Sequence, residues 1–382
     1  MNGCIFASIH LAESTWEFHA MQVKPAHQYK VLIFGASYGS LLATKLALAG
    51  HDATLVCLPN EVELINREGT RVRFPIKGRE GLVEVDSRGL LGKISATTPN
   101  NVNLANYDLV VLAMQEPQYG ATGVRELLHA VAEARLPTMS IMNMPPLTYL
   151  ARIPGLSLTD YRNCYTDPSV WDGFDPTMMT LCSPDAQAFR PPDQPINVLQ
   201  VRLPTNFKAA RFESEVHTQM LRQIAADIEA VRFDTGSEVI ELPVKLKVFD
   251  SVFVPLAKWS MLLAGNYRCV GANGMRPIKE AIHDDLGLSK NIYNWARQLC
   301  LLLGASETDL VPFEKYANAA LSLGSPSSAA RALFAGAKNI ERVDLLMQTV
   351  AAKQGMQSEA VNQIVNLVNQ QLEKNRALPV VA

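Results

Sequence analysis

The stretch that decides the fold is Tyr29 to His51, YKVLIFGASYGSLLATKLALAGH. It opens with a short run of aromatic and branched apolar residues, Tyr29 to Phe34, which reads as a buried strand. Gly35 follows, then a helix-period stretch from Ser40 to Ala49, closed by Gly50 and His51, and a second apolar run from Ala53 to Cys57. Strand, glycine turn, helix and strand make the unit in which a phosphate rests on a helix N-terminus, so the order predicts a parallel, right-handed βαβ unit of a Rossmann-type domain. The usual G-x-G-x-x-G spacing is altered. Ser37 stands at or beside the second glycine, Gly39 arrives one residue early, and the loop is one residue short. Gly35, Ser37, Tyr38, Gly39 and Ser40 are the expected cofactor-binding residues, because they open the first long helix. A turn that binds nothing is the competing reading. At the end of the second strand the chain reads Leu58, Pro59, Asn60, which offers neither an acidic grip for a ribose nor an arginine for a 2′-phosphate. The turn by itself therefore leaves NAD and NADP open.

Outward from this unit, Asp108 to Ala113 (DLVVLA) reads as a further buried parallel strand, Val124 to Ala134 as the helix after it, and Pro137 to Met142 as another strand. Between Pro145 and about Arg211, Pro, Asp and aromatic residues break the pattern (DPSVWDGFDP, FRPPDQP), with strands expected near Met178 to Cys182 and Val198 to Leu203. This insertion, near 146–211, reads as cover for a site or an interface. Glu213 to Val231 returns to helical periodicity. After about residue 240 strands are expected to stop, with helices over Phe249 to Tyr267, Pro277 to Leu303, Glu307 to Leu323, Ser327 to Ala335, Asn339 to Gln354 and Ser358 to Ala377. The expected organisation is a disordered N-terminal extension over 1–28, an α/β dinucleotide-binding domain over 29–238, and an all-α substrate and dimerisation domain over 239–382. The last helix carries Val361, Ile364, Val365, Val368 and Leu372 on one stripe, read as a docking face on its own domain, with a dimer contact as the second reading.

Bulk properties exclude several classes of function. The chain has 382 residues, 48% apolar and 19% charged, enough for two packed cores. A net charge of -2, with no Lys/Arg run interleaved with aromatics, lacks the footprint of a nucleic-acid binder. Six cysteines show no C-x-x-C pair or zinc spacing, so no metal is expected and a reduced, cytoplasmic setting fits. Apolar stretches fall short of the roughly 20 residues that span a bilayer. Residues 1–28, with Glu13, Glu17 and three histidines, match neither a signal peptide nor a transit peptide. The expected partner is a small molecule.

Two patterns in the C-terminal half add chemistry. In KWSMLLAGN, Lys258 and Asn266 stand eight residues apart in an apolar helix, roughly two turns, hence near one face; alone, such a lysine reads as snorkelling outward. The second is SPSSAARALFAGAKNIERVDLLMQTVAAKQGM, Ser325 to Met356. With Asn143 in SIMNMPPL and Gln118 in MQEPQ, these patterns make the chain from about Tyr29 to Gly355 resemble the ketopantoate reductase family. The resemblance implies a Rossmann-type N-terminal domain, a helical C-terminal domain, NADP (with NAD as the alternative), a homodimer, and reduction of a 2-keto acid or related ketone. It makes Lys258 the general acid with Asn143 as its hydrogen-bond partner. Asn266 would bind a substrate hydroxyl, Ser328 its carboxylate, and Glu341 the hydroxyl end or the lysine, with Gln115 and Gln118 on the cofactor side. The chain departs from the family at Leu262, where a second asparagine is usual, at Gln115, where a lysine is frequent, and at Met144, Pro145 and Pro146, which replace a glycine-containing turn. Glu341 is about one residue out of place, which leaves Asn339 or a neighbour as an alternative. Two other readings follow: an opine-type, imine-reducing dehydrogenase, with Tyr161, Tyr165, Trp171, Asp172, Phe174 and Asp175 receiving an amine-bearing partner, and a non-catalytic nucleotide-binding sensor.

Overall fold

The glycine turn folds as its spacing requires. In the computed structural model, which describes residues 25–378, β1 (Lys30–Phe34), α1 (Gly39–Leu48) and β2 (Asp52–Val56) form a parallel βαβ unit, in register from Lys30↔Asp52 to Phe34↔Val56. The expected extension over 1–28 lies outside the described residues except for Pro25 to Gln28. The chain continues through α2 (Pro59–Glu68), β3 (Arg71–Pro75), β4 (Leu82–Asp86), β5 (Ile94–Thr97), β6 (Leu109–Leu112), α3 (Val124–Glu133) and β7 (Thr138–Ile141). Then come β8 (Met179–Ser183), β9 (Gln187–Phe189), β10 (Val198–Leu203), β11 (Phe207–Ala210), α4 (Glu215–Ala230), β12 (Phe233–Asp234), β13 (Val239–Ile240) and β14 (Leu246–Phe249). The main sheet runs β14-β11-β8-β7-β6-β1-β2-β5, parallel from β5 across to β8, with β11 antiparallel to β8.

Two expectations about organisation are corrected. The segment near 146–211 is not an accessory to the α/β part, because it supplies β8 and β11 to the main sheet. Strands also do not stop at residue 240: β14 pairs β11, so the sheet runs past the expected boundary to Phe249.

A second sheet, β4-β3-β10-β9, packs over α1. All ten residues of that helix are buried, which explains why its sequence is mostly apolar, with Ser40, Thr44 and Lys45 buried among the rest. On the other face of the main sheet, Tyr149, Tyr161, Trp171 and Phe174 are buried in one core with Phe34, Leu112 and Tyr119. The aromatic residues read as able to receive a partner are thus core packing.

The helical part comprises α5 (Lys258–Met261), a π turn (Leu262–Asn266), α6 (Ile278–His283), α7 (Leu286–Leu302), α8 (Phe313–Ala320), α9 (Ser328–Phe334), α10 (Val343–Lys353) and α11 (Glu359–Ala377). The helix expected over Pro277 to Leu303 is two, because the Asp285 carboxylate accepts from the Leu288 N–H at 2.8 Å and caps a new start. Pro312 opens α8, shortening the helix expected from Glu307. The stripe on α11 is buried against α9 and α10 of its own chain, as the first reading has it. Among the described residues no helix is long and apolar enough to cross a membrane.

Candidate active site

Because β1, β6, β7 and β8 are parallel, their carboxyl ends share one edge, where the chain turns at Gly35, Ala113 to Gln115, Asn143, and Pro184 to Asp185. In open α/β sheets ligands bind along such an edge, where the strand order reverses, here at β1 between β2 and β6.

The cofactor side is built around Gly35. Its φ is +97°, and a Cβ there would lie 2.7 Å from Met114 Cγ and 3.1 Å from the Ala113 carbonyl oxygen, so only glycine lets the two turns approach. Among the described residues nothing accepts from the backbone N–H groups of Ala36, Ser37, Tyr38 or Gly39, and Ser37 is exposed. Four successive free donors at the start of a buried helix suit a pyrophosphate.

Three of the expected cofactor residues also have packing or bonding roles within the fold. A Cβ on Gly39 would meet Ile33 Cγ2 at 2.7 Å, so this glycine seats α1 on β1. The Ser40 hydroxyl donates to the Ala36 carbonyl, closing the turn internally. Tyr38 Oη donates to the Ala186 carbonyl at 2.7 Å and its ring stands edge-on to Phe207, tying the turn to the segment after β8.

Gln115 and Gln118 are exposed on the turn after β6, where Gln118 Oε1 accepts from the Gln115 N–H at 3.0 Å. Tyr119 Oη, buried, accepts from the Met114 N–H at 3.0 Å and fixes the same turn from below. In the first turn of α2, which follows β2, Glu61 pairs with Arg190 at 2.6 Å. No local motif announced that arginine, which reaches the site from beyond β9.

On the substrate side, the structure joins Asn143 and Glu341 but not Asn143 and Lys258. Asn143 Nδ2 donates to Glu341 Oε2 at 3.2 Å, and Asn143 Oδ1 is buried with no partner among the described residues. Glu341 is held by its own backbone: Tyr267 Oη donates to its carbonyl at 2.6 Å and accepts from the Val343 N–H at 3.0 Å. Burial pushes the Glu341 carboxyl up to about 7, against the Asn143 bond and the Lys258 charge, which favour ionisation. Asn339 is exposed and accepts from Arg376 at 3.0 Å, so Glu341 is the residue that faces inward.

The expected Lys258–Asn143 bond is replaced by a different anchor. Lys258 Nζ donates to the Pro184 carbonyl and stands 3.9 Å from Asp185 Oδ1, with its side chain only 19% exposed. It does not snorkel into bulk water. Burial lowers its pKa, while Asp185 and Glu341 push it back up.

Asn266 and Ser328 are less engaged than expected. Asn266 ends the π turn, half-buried, and its carbonyl accepts from Ser327 Oγ at 2.7 Å. Ser327, not Ser328, is the buried cap of α9; Ser328 is exposed. No hydrogen bond joins either expected side chain to Lys258, Asn143 or Glu341. Leu262 is buried at the opening of the π turn, and the Tyr316 hydroxyl donates to the Met261 carbonyl at 3.1 Å. π turns of this kind concentrate at functional sites.

Sequence reasoning missed Glu116. It is buried, accepts from the Thr166 N–H at 3.0 Å and the Thr166 hydroxyl at 2.9 Å, and burial raises its carboxyl to about 7. Its position between Gln115 and Gln118 was the only available signal. Among the described residues no His/Cys/Asp/Glu group could hold a metal ion.

No protein-family model matches this sequence, and no curated protein does. Solved structures do. A 2-dehydropantoate 2-reductase from Methylococcus capsulatus superposes with a TM-score of 0.62 at 13% identity, covering 92% of this chain and 98% of that one. A ketopantoate reductase from Ralstonia eutropha gives 0.60 at 16% identity over 91% and 99%. D-mandelate dehydrogenase with NADH and anilino(oxo)acetate gives 0.61 at 12% identity over 91% and 100%. The chain therefore has the ketopantoate reductase fold, carried by a sequence that has diverged far from the structures it resembles.

Proposed function

We propose that the protein is an oxidoreductase that reduces a 2-keto acid or related ketone, using NADPH in preference to NADH, with Lys258 as the proton donor. The observation that carries this reading is the placement of a mostly buried lysine at the carboxyl end of β8, on the same sheet edge as the Asn143–Glu341 pair and the free N–H groups after Gly35. A neighbour of the same fold binds NADH with anilino(oxo)acetate, which supports a nicotinamide cofactor and a keto-acid substrate.

The turn from Gly35 to Ser40 would hold a nicotinamide dinucleotide, which would supply the hydride for the ketone carbon. As the carbon–oxygen π pair moves onto oxygen, the Lys258 ammonium stabilises the growing negative charge and gives up its proton to it. Glu341 accepts from the Asn143 amide and fixes that side chain at the sheet edge beside which the substrate would lie. The N–H groups of Ala36 to Gly39 hold the pyrophosphate. NADPH is preferred because Glu61, the carboxylate near the end of β2, is already taken by Arg190. The cysteine usage carries the cytoplasmic setting and the family resemblance a homodimer; the α11 stripe is used within one chain, so a dimer needs another face.

Lys258→Ala tests the assignment. Turnover of a 2-keto acid falls about a hundredfold or more, while NADPH affinity by fluorescence titration and thermal stability change little. Turnover close to wild type removes Lys258 from the chemistry.

A further inference from the structure

The anchor that replaces the expected Asn143 bond is itself organised. The tripeptide after β8 is gripped from both sides: Lys258 Nζ donates to the Pro184 carbonyl, and Tyr38 Oη, from the glycine turn, donates to the Ala186 carbonyl at 2.7 Å. Between these contacts Asp185, with only 13% of its side chain exposed, offers one carboxylate to two amines. Its Oδ2 is 2.8 Å from Lys208 Nζ on β11, and its Oδ1 is 3.9 Å from Lys258 Nζ on α5. The antiparallel pairing of β11 with β8, Lys208↔Ser183, brings the second lysine to this end of the sheet.

We propose that Asp185 is a positioning residue that holds the Lys258 amine over the carboxyl end of β8, and that Lys208, by taking the nearer share of the same carboxylate, keeps that hold loose enough for the amine to turn to substrate. A carboxylate bound to one lysine alone would form a tight, closed ion pair with it. Shared between two, it leaves Lys258 at 3.9 Å, oriented by the Pro184 carbonyl but not locked. The charged and titratable groups facing the Lys258 amine are Asp185, Glu341, Lys208 and Cys182. Asp185 and Glu341 favour its ammonium form and Lys208 disfavours it, while burial keeps the Cys182 thiol neutral. The catalytic consequence rests on the reductase reading above; the positioning itself does not.

The test observes the amine directly, in the full-length protein without substrate. Lysine labelled with carbon-13 at Cε gives a resonance whose shift follows protonation, and Lys258→Arg identifies the Lys258 signal by its loss. Asp185→Asn is expected to lower the Lys258 midpoint and Lys208→Gln to raise it, each by about one pH unit, as for charges a few ångströms apart. Lys208 is 32% exposed, so its substitution leaves folding intact even if Asp185→Asn does not. A Lys258 midpoint unmoved by Lys208→Gln, or moved downward, overturns the proposal. In assays with 2-keto acids, the basic limb of the kcat/KM profile moves in the same directions as the resonance. If the resonance moves as expected but no keto acid is turned over, the reductase reading fails and the positioning stands.

Discussion

Lys45 shows what burial does to a charge that has no counter-ion in contact among the described residues. It lies on α1 beneath the second sheet, donates to the Leu242 and Pro243 carbonyls at 3.2 and 3.1 Å, and faces the Phe74 ring. Burial lowers its pKa from 10.5 to about 7. The unfolded chain therefore binds more protons than the folded one between these values, so this residue's contribution to stability is full above 10.5 and is lost as the pH falls through 7. Lys45→Met should flatten the rise of the urea midpoint between pH 7 and 9.5; equal slopes in the two proteins would show that the amine is not the cause. Glu116 and Glu341 act with the opposite sign, since burial raises both from 4.5 to about 7 and their contribution is lost as the pH rises through 7. At this scale the family resemblance singled out Lys258, Asn143 and Glu341 as candidates, where local pattern alone did not. Glu116, Asp185, Lys208 and Arg190 were not singled out, because each takes its meaning from a partner far along the chain, such as Thr166 for Glu116 or Lys258 for Asp185.

Among the elements, the βαβ unit was legible from Tyr29 to Cys57 because strand, turn and helix are encoded locally. The second sheet was not, because its central pairing joins β3 to β10 across most of the α/β part, and neither strand announces its partner. The break before α7 could have been read from Asp285, and the start of α8 from Pro312, by the ordinary rules of helix termini. The glycine turn divides into residues with free N–H groups and an exposed side chain, proposed to bind, and residues that pack. Ser37 is exposed beside free N–H groups, so Ser37→Glu should abolish NADPH binding by placing a negative charge against the phosphates, with the melting temperature nearly unchanged. Gly39→Val should instead cost about 1–3 kcal/mol of stability through its collision with Ile33. Retained NADPH affinity in the Ser37 variant would remove this turn as the phosphate site.

Over the whole molecule, one hydrophobic core runs from the main sheet through Tyr149, Tyr161 and Trp171 into α5, α7 and α10, so sheet and helices meet across packed side chains. The Asn143–Glu341 bond crosses that junction, and Lys258 reaches back over it to Pro184. A molecule assembled in this way brings the glycine turn, the Lys258 amine and the Asn143–Glu341 pair to one edge from segments far apart in sequence, the arrangement on which the proposed hydride transfer rests. The fold class was legible through the family resemblance, which also singled out Lys258, Asn143 and Glu341 as candidates; the way these residues connect depends on long-range pairing that spacing does not encode. The most direct test is to incubate the protein with a panel of 2-keto acids and NADPH carrying deuterium at nicotinamide C4, and to analyse the products by mass spectrometry. The account predicts a 2-hydroxy acid with one deuterium at C2 for each NADPH oxidised, and almost none with Lys258→Ala. Failure of every keto acid to gain deuterium, while the wild-type protein binds NADPH, would contradict it.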